Sequence, residues 1–330
     1  MTIRMLFPAL VAALALPVVA TAQSLPAGVT ERDITVSGPV ALPGTLSVPA
    51  GKGPFPGVIL VHGSGSGDRD ETILGNKPFR DLAWGLAAQG VVVLRYDKRS
   101  KVNPQWFAAH PFTVDDEVIQ DALSALTLLR QQPEVNPRRT FQLGLSLGGM
   151  LAPRIAKADG KVAGIIIMSG ATRMQLIDQI DRQYAYLQSI AGADSMQIKA
   201  ARAQLAPILA KVRGLTPADT ANPAPIPGLG GTGARYWLDL HAYDPAVVMR
   251  DLKIPALVTQ GLGDYQVPPD QLDDWLKEVG PRKDITVKRY PGLSHIYTPA
   301  GNPPSGADYS TPGHVAQQVI DDVAAWIKAH

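Results

Sequence analysis

The sequence predicts an α/β fold: a mostly parallel central sheet with helices on both faces and an inserted helical cap. Three observations carry this. Continuous apolar runs of the kind that doubly buried strands show recur along the chain. Helical patterns alternate with them. One stretch, residues 171–250, breaks the alternation with two amphipathic patterns and no strand between them. The 330 residues are 45% hydrophobic and 18% charged, enough apolar material for one large domain or two small ones.

The chain opens with a secretory signal pattern over residues 1–22. Arg4 supplies the positive region, Met5 to Leu16 the apolar core, and Ala20-Thr21-Ala22 a small-residue cleavage site before Gln23. The apolar run is short and is interrupted by Pro8 and Pro17, which argues against a membrane span. No cysteine follows Ala22 to take a lipid, so a periplasmic or secreted product without a stable membrane anchor is expected. From Ile34 to Val48, short β-prone stretches broken by Gly38-Pro39 and Pro43-Gly44 read as an antiparallel hairpin. Strand runs Gly57 to Val61 and Val91 to Tyr96 enclose a helix at Phe79 to Gln89. A helix from Asp115 to Gln132 carries Ile119, Leu123, Leu126 and Leu129 on one face, and Pro133 and Pro137 stop it.

The strand Thr140 to Leu145, a helix from Leu147 and the strand Val162 to Met168 complete the first core segment, residues 23–170. The cap follows, with Met174, Ile177, Ile180, Tyr184 and Leu187, then Ile198, Leu205, Ile208 and Val212, at helical spacing. Asn222 to Gly233 is too rich in Pro and Gly for regular structure. The second core segment, residues 251–330, holds the strand Ala256 to Gln260, a helix over Gln271 to Val279 and the strand Ile285 to Tyr290. A closing helix is expected with Thr311 as N-cap, Pro312 at its first position and His314 in its first turn.

Composition excludes several kinds of chemistry. Thirty-one basic residues face 29 acidic ones without a basic cluster, so nucleic acid is not an expected partner. Cysteine is absent, which removes thiolate nucleophiles and Cys-ligated metals. Gly144-Leu145-Ser146-Leu147-Gly148 sits at a strand-to-helix junction, where a sharp turn lifts the Ser146 hydroxyl clear of the backbone. A serine hydroxyl needs a positioned base. Of six histidines, His295 comes directly after the strand ending at Tyr290, in a loop able to hang it over the sheet edge. Asp264 follows the strand Ala256 to Gln260 and lies between nucleophile and base in chain order; Asp270, Asp273 and Asp274 belong to the next helix or its cap.

The oxyanion of an acyl-transfer intermediate needs two donors, and the Leu147 amide is one. The second comes from His62-Gly63-Ser64-Gly65-Ser66-Gly67, with Ser64 first and Gly63 and Gly65 close behind. Asp68-Arg69-Asp70 and Tyr96-Asp97-Lys98-Arg99 are charge clusters past strand ends, read either as substrate recognition by Arg69 or Arg99 or as an ion-pair network tying two loops together. Tyr236, Trp237, His241 and Tyr243 line an acyl pocket or pack in the core; both readings fit.

These motifs, together with the runs Val58 to Asp70, Leu94 to Arg99, Gln260 to Pro268 and Gly292 to His295, resemble the α/β-hydrolase superfamily, nearest to exported bacterial serine esterases of its dienelactone-hydrolase-like or serine-aminopeptidase-like branches. The resemblance implies Ser146 as nucleophile, Asp264 as acid, His295 as base, and Ser64 with Leu147 as the oxyanion hole. Two departures stand out: Ser100 follows Tyr-Asp-Lys-Arg where relatives commonly have Gly, and dienelactone hydrolases proper use a cysteine nucleophile, absent here. The expected function is hydrolysis of a small-molecule carboxylic ester through an acyl-enzyme, with no metal or cofactor. The alternatives are a serine peptidase or aminopeptidase, using Asp68 or Asp70 to hold a substrate ammonium, and a catalytically silent binding protein of the same fold.

Overall fold

The computed structural model describes residues 24–191 and 195–330, so the signal pattern at residues 1–22 lies outside the described residues. Two strands open the fold, β1 (Thr30–Val36) and β2 (Leu42–Val48), paired antiparallel with Val36 opposite Leu42. Then come β3 (Phe55–Val61), α1 (Pro78–Ala88), β4 (Val92–Tyr96), the short helices α2 (Arg99–Val102) and α3 (Pro104–Ala109), and α4 (Gln120–Arg130). They are followed by β5 (Val135–Leu145), α5 (Leu147–Asp159) and β6 (Gly164–Met168). Four helices fill the break in alternation: α6 (Leu176–Ile190), α7 (Met196–Arg213), α8 (Ala234–His241) and α9 (Pro245–Asp251). The chain closes with β7 (Ala256–Gly261), α10 (Pro269–Val279), β8 (Ile285–Tyr290) and α11 (Gln317–Ala329).

The eight strands form one sheet in the order β1-β2-β4-β3-β5-β6-β7-β8, and every pairing from β4 to β8 is parallel. Both faces are covered. One carries a cluster built on Leu126, Leu151, Val258 and Trp275, the other on Phe79, Leu143, Val323 and Ile327. Alternate residues of one strand therefore enter opposite cores, as Ile59 and Leu60 of β3 do, which explains the uninterrupted apolar runs. Because β5, β7 and β8 run parallel, their following loops gather at one edge of the sheet.

Several boundaries move from the expectations. The helix expected from Asp115 begins as one π-helical turn, Asp115–Ile119, before α4 takes over. Two further helices, α8 and α9, occupy the end of the 171–250 block; α9 starts where the Asp244 side chain accepts from the Ala246 and Val247 amides ahead of Pro245. The closing helix does not begin at Thr311. Its first residue is Gln317, because the preceding amides are claimed sideways by other segments: Gly313 by Asn76 Oδ1 at 2.8 Å, Val315 by Asp81 Oδ2 at 3.1 Å and Ala316 by the Tyr297 carbonyl at 3.0 Å. Asp81 also faces His314 Nδ1 at 3.2 Å, so His314 sits in a tethered loop and not on a helix.

Candidate active site

Among the described glycines, the two that flank the turn from β5 into α5 are the most closely crowded. A Cβ at Gly144 would lie 2.1 Å from the Gly148 carbonyl oxygen, and one at Gly148 would lie 2.3 Å from the Val61 oxygen at the end of β3. Only glycine fits at either position. Ser146 between them is held at φ +55°, a left-handed conformation rare for a side chain other than glycine, and its amide donates to the Met168 carbonyl at 2.9 Å. Leu147 is the first residue of α5, so its N–H precedes any intrahelical acceptor and stands at the positive end of the helix.

Asp264 and His295 come together on the loops after β7 and β8. His295 Nδ1 lies 2.7 Å from Asp264 Oδ2, and both residues are buried. The same carboxylate is saturated by other donors: Oδ2 by Gln260 Nε2 at 3.2 Å, Oδ1 by the Gln266 and Val267 amides at 2.8 and 2.9 Å. An ionised carboxylate only accepts, so Nδ1 of His295 carries the proton and Nε2 keeps its lone pair. Main-chain bonds staple the two loops, Leu262 N to the Tyr290 oxygen at 2.9 Å and Gly263 N to the Leu293 oxygen at 2.8 Å. Helix α6 docks on the acid-bearing loop: Gln183 Nε2 donates to the Gln266 oxygen at 2.9 Å, Arg182 pairs with Asp270 at 2.8 Å, and Tyr186 stacks on Tyr265. Among the described residues no hydrogen bond joins the Ser146 hydroxyl to the His295 ring.

The loop after β3 reaches the serine. A Cβ at Gly63 would lie 3.3 Å from Ser146 Cβ, so the loop passes directly beside this side chain. Ser64 is exposed. The Gly63 amide, considered as a second oxyanion donor, is already engaged: it donates to Glu71 Oε1 at 3.0 Å. The charge clusters turn out to be ion pairs. Arg69 forks onto Asp97 at 3.1 and 3.2 Å, and Arg99 is buried against Asp121. Asp70 holds Lys77 at 3.0 Å and Arg95 at 3.1 Å, and Asp68 Oδ1 accepts the Asp70 and Thr72 amides. Tyr236 and Trp237 are buried, Trp237 donating to Thr232 Oγ1 at 2.9 Å, and Tyr243 donates to the Met150 oxygen at 2.7 Å, so packing accounts for them. Among the described residues, no group of three His, Asp or Glu side chains is arranged to hold a metal ion.

Sequence reasoning missed Glu71. It sits at φ +53° beneath the Gly63–Gly67 loop, buried, with Oε2 3.9 Å from His62 Nε2. Burial pushes its carboxyl up to about 7, against the opposing pull of the Lys98 ammonium and the Gly63 amide; Asp68 adds to the rise and His295 opposes it. His62 is pushed down to about 3 by burial and by Lys98, and stays neutral beside it. No spacing signal distinguishes Glu71 from its neighbours in Asp68-Arg69-Asp70-Glu71; only the folded loop does.

A raised carboxyl makes the folded state hold a proton that the unfolded chain releases above the ordinary carboxylate range of about 4. This contribution to stability is full below that range and is lost as pH rises through about 7. Glu71→Gln keeps the acceptor for Gly63 and removes the ionisation. Between about pH 5 and about pH 8 its urea midpoint should therefore fall less than that of the unmodified protein. Parallel falls in the two proteins would contradict this.

Comparison with known proteins places the chain. The family model described as serine aminopeptidase, S33, matches residues 58–298. Esterase EstD of Thermotoga maritima is 38% identical over 305 residues, which span 92% of this chain and 68% of that protein. Among solved structures, Est1E from Butyrivibrio proteoclasticus superposes with a TM-score of 0.57 at 15% identity, covering 90% of this chain and 99% of that one. The 2,6-dihydroxy-pseudo-oxynicotine hydrolase superposes with a TM-score of 0.53 at 16% identity, covering 90% of this chain and 66% of the hydrolase, just under two thirds of its length. The fold is that of the α/β-hydrolases, and the chain belongs to the serine aminopeptidase S33 family.

Proposed function

We propose that the protein hydrolyses small-molecule carboxylic esters through an acyl-enzyme on Ser146. The observation that carries the substrate class is the 38% identity, across 92% of the chain, to a protein that is an esterase. The route follows from the site. His295 Nε2 takes the proton of the Ser146 hydroxyl as Oγ attacks the ester carbonyl. The resulting oxyanion is held by the Leu147 and Ser64 amides. The alcohol leaves with the proton from the imidazolium, which Asp264 stabilises through Nδ1. Water, deprotonated by the same imidazole, then releases the acid and restores the serine.

Esters are favoured over peptides because binding a substrate ammonium needs a free anion near the nucleophile. Asp70 is already engaged by two cations, Lys77 and Arg95, and is not vacant for that task. Ser146→Ala should stay folded and lose turnover of p-nitrophenyl acetate and butyrate by about four orders of magnitude. In the unmodified enzyme kcat/KM should fall on acidification, since only neutral imidazole accepts the serine proton. A variant within about tenfold of the parent would overturn the assignment of the nucleophile.

We further infer export, supported by Arg4, the apolar run Met5 to Leu16 and the small residues at Ala20 to Ala22. In a host with a general secretion pathway the recovered protein should begin at Gln23; an intact Met1 on material from the medium or periplasm would contradict cleavage.

A further inference from the structure

Three cations leave the end of β4 together, and they are used differently. Arg95 pairs with Glu31 at 2.7 Å and Asp70 at 3.1 Å, and Arg99 with Asp121. Lys98 pairs with one carboxylate, Glu117 Oε1 at 3.0 Å, from the π-helical turn at Asp115–Ile119. Its remaining donors go to main-chain carbonyls of the loop beside Ser146: Gly63 O at 2.9 Å and Gly65 O at 2.8 Å. An ammonium has three N–H bonds, so Lys98 is saturated, and it is fully buried. Charge neutralisation requires only the Glu117 contact. The two carbonyl contacts need another explanation.

Peptide geometry supplies one. In a planar trans peptide the C=O and N–H point in opposite directions. With the Gly63 carbonyl drawn inward to Lys98, the Ser64 N–H of the same peptide unit points away from it; Ser64 itself is exposed, and Gly63 packs against Ser146. The preceding peptide is pinned in the opposite sense, its Gly63 N–H held inward by Glu71. Among the described residues the Ser64 amide itself makes no hydrogen bond, so it is free for a ligand. A cation on a carbonyl oxygen also pulls electron density from the peptide and makes its N–H a stronger donor, an effect worth more to an anion than to a neutral carbonyl.

We propose that Lys98 is a positioning residue for the reaction: through the Gly63 and Gly65 carbonyls it orients and polarises the Ser64 amide toward the oxyanion. The inference rests on the reading of Ser146 and Ser64 given above and adds what makes that amide ready before substrate arrives. Because the interaction strengthens as charge develops on the substrate oxygen, its loss is felt in the transition state and not in ground-state binding.

Lys98→Met removes the donors at similar length. It should lower kcat for p-nitrophenyl butyrate by about ten- to a hundredfold and leave KM within about twofold. A trifluoromethyl ketone carries the oxyanion once added to Ser146, so its Ki should rise by the same factor as kcat/KM falls. A merely structural role would reduce the fraction of active protein, counted by fluorophosphonate titration, and leave Ki unchanged. Lys98→Gln, which keeps an N–H donor without the charge, should fall between the parent and Lys98→Met. If neither variant folds, the unmodified enzyme decides: the Ser64 amide proton, followed with 15N-serine, should move downfield when the ketone adduct forms, and an unmoved proton overturns the proposal. A parent that fluorophosphonate does not label defeats the esterase reading itself. A labelled, active parent with a Lys98→Met variant equal to it in kcat and Ki defeats only the inference.

Discussion

The crossing of three backbone segments, the end of β3, the end of β5 and the start of α5, sets the geometry on which the rest of the site depends. They approach so closely that the positions flanking Ser146 by two residues admit no Cβ, and the chain passes from strand to helix through a single residue with positive φ. Close packing of main chain against main chain cannot relax by a rotamer change, so the turn is rigid in the way a functional site requires. It also performs two tasks at once. Ser146 is set at the end of β5 in a left-handed conformation, and the first amide of α5 follows it without an intrahelical partner.

Around that fixed point the other groups are held by different physics. Asp264 and His295 are joined through main-chain bonds between their loops, and the Asp264 carboxylate also accepts the Gln266 and Val267 amides, which leaves the imidazole Nδ1 as the donor to it. The loop after β3 has glycines in place of a rigid element, and buried charges take over the work of fixing it. Lys98 holds its carbonyls from within, and Glu71 one of its amides. Burying both groups is costly, and Glu71 responds by drifting toward its neutral form while Lys98 keeps a carboxylate partner in Glu117. A polar network of this kind belongs beneath a site and would be wasteful elsewhere in the core.

Much of this was legible in the sequence. Buried parallel strands declare themselves as apolar runs, so β3, β4, β6 and β7 could be read to within about two residues; β5 begins at Val135, well before the expected Thr140, because its polar first half Asn136 to Arg139 hid it. The placement of Ser146, Asp264 and His295 on loops after strands was legible because each follows a recognisable strand and the glycines mark the turn; the structure joins Asp264 to His295 and sets Ser146 at the tight turn. What escaped depends on contacts remote in sequence. Thr311-Pro312 is a sound local helix start, yet Asn76, Asp81 and Tyr297 bind the amides after it and delay α11 to Gln317. Glu71 and Lys98 sit in charge clusters with Arg69, Asp70, Asp97 and Arg99, which form ion pairs, and nothing local separates a buried cation facing carbonyls from one facing carboxylates. Helix α9 is different: Asp244-Pro245 is a readable N-cap signal that the Pro-rich surroundings obscured.

The central claim is that the turn at Ser146, served by His295, makes an activated nucleophile. The most direct measurement is the rate and site of covalent labelling by a fluorophosphonate, read by intact mass and peptide mapping on native protein, heat-denatured protein and His295→Ala. The account predicts a single rapid adduct on the peptide bearing Ser146 in the native protein, and none in the other two. Slow labelling spread over several serines, or an unchanged rate without His295, would contradict it.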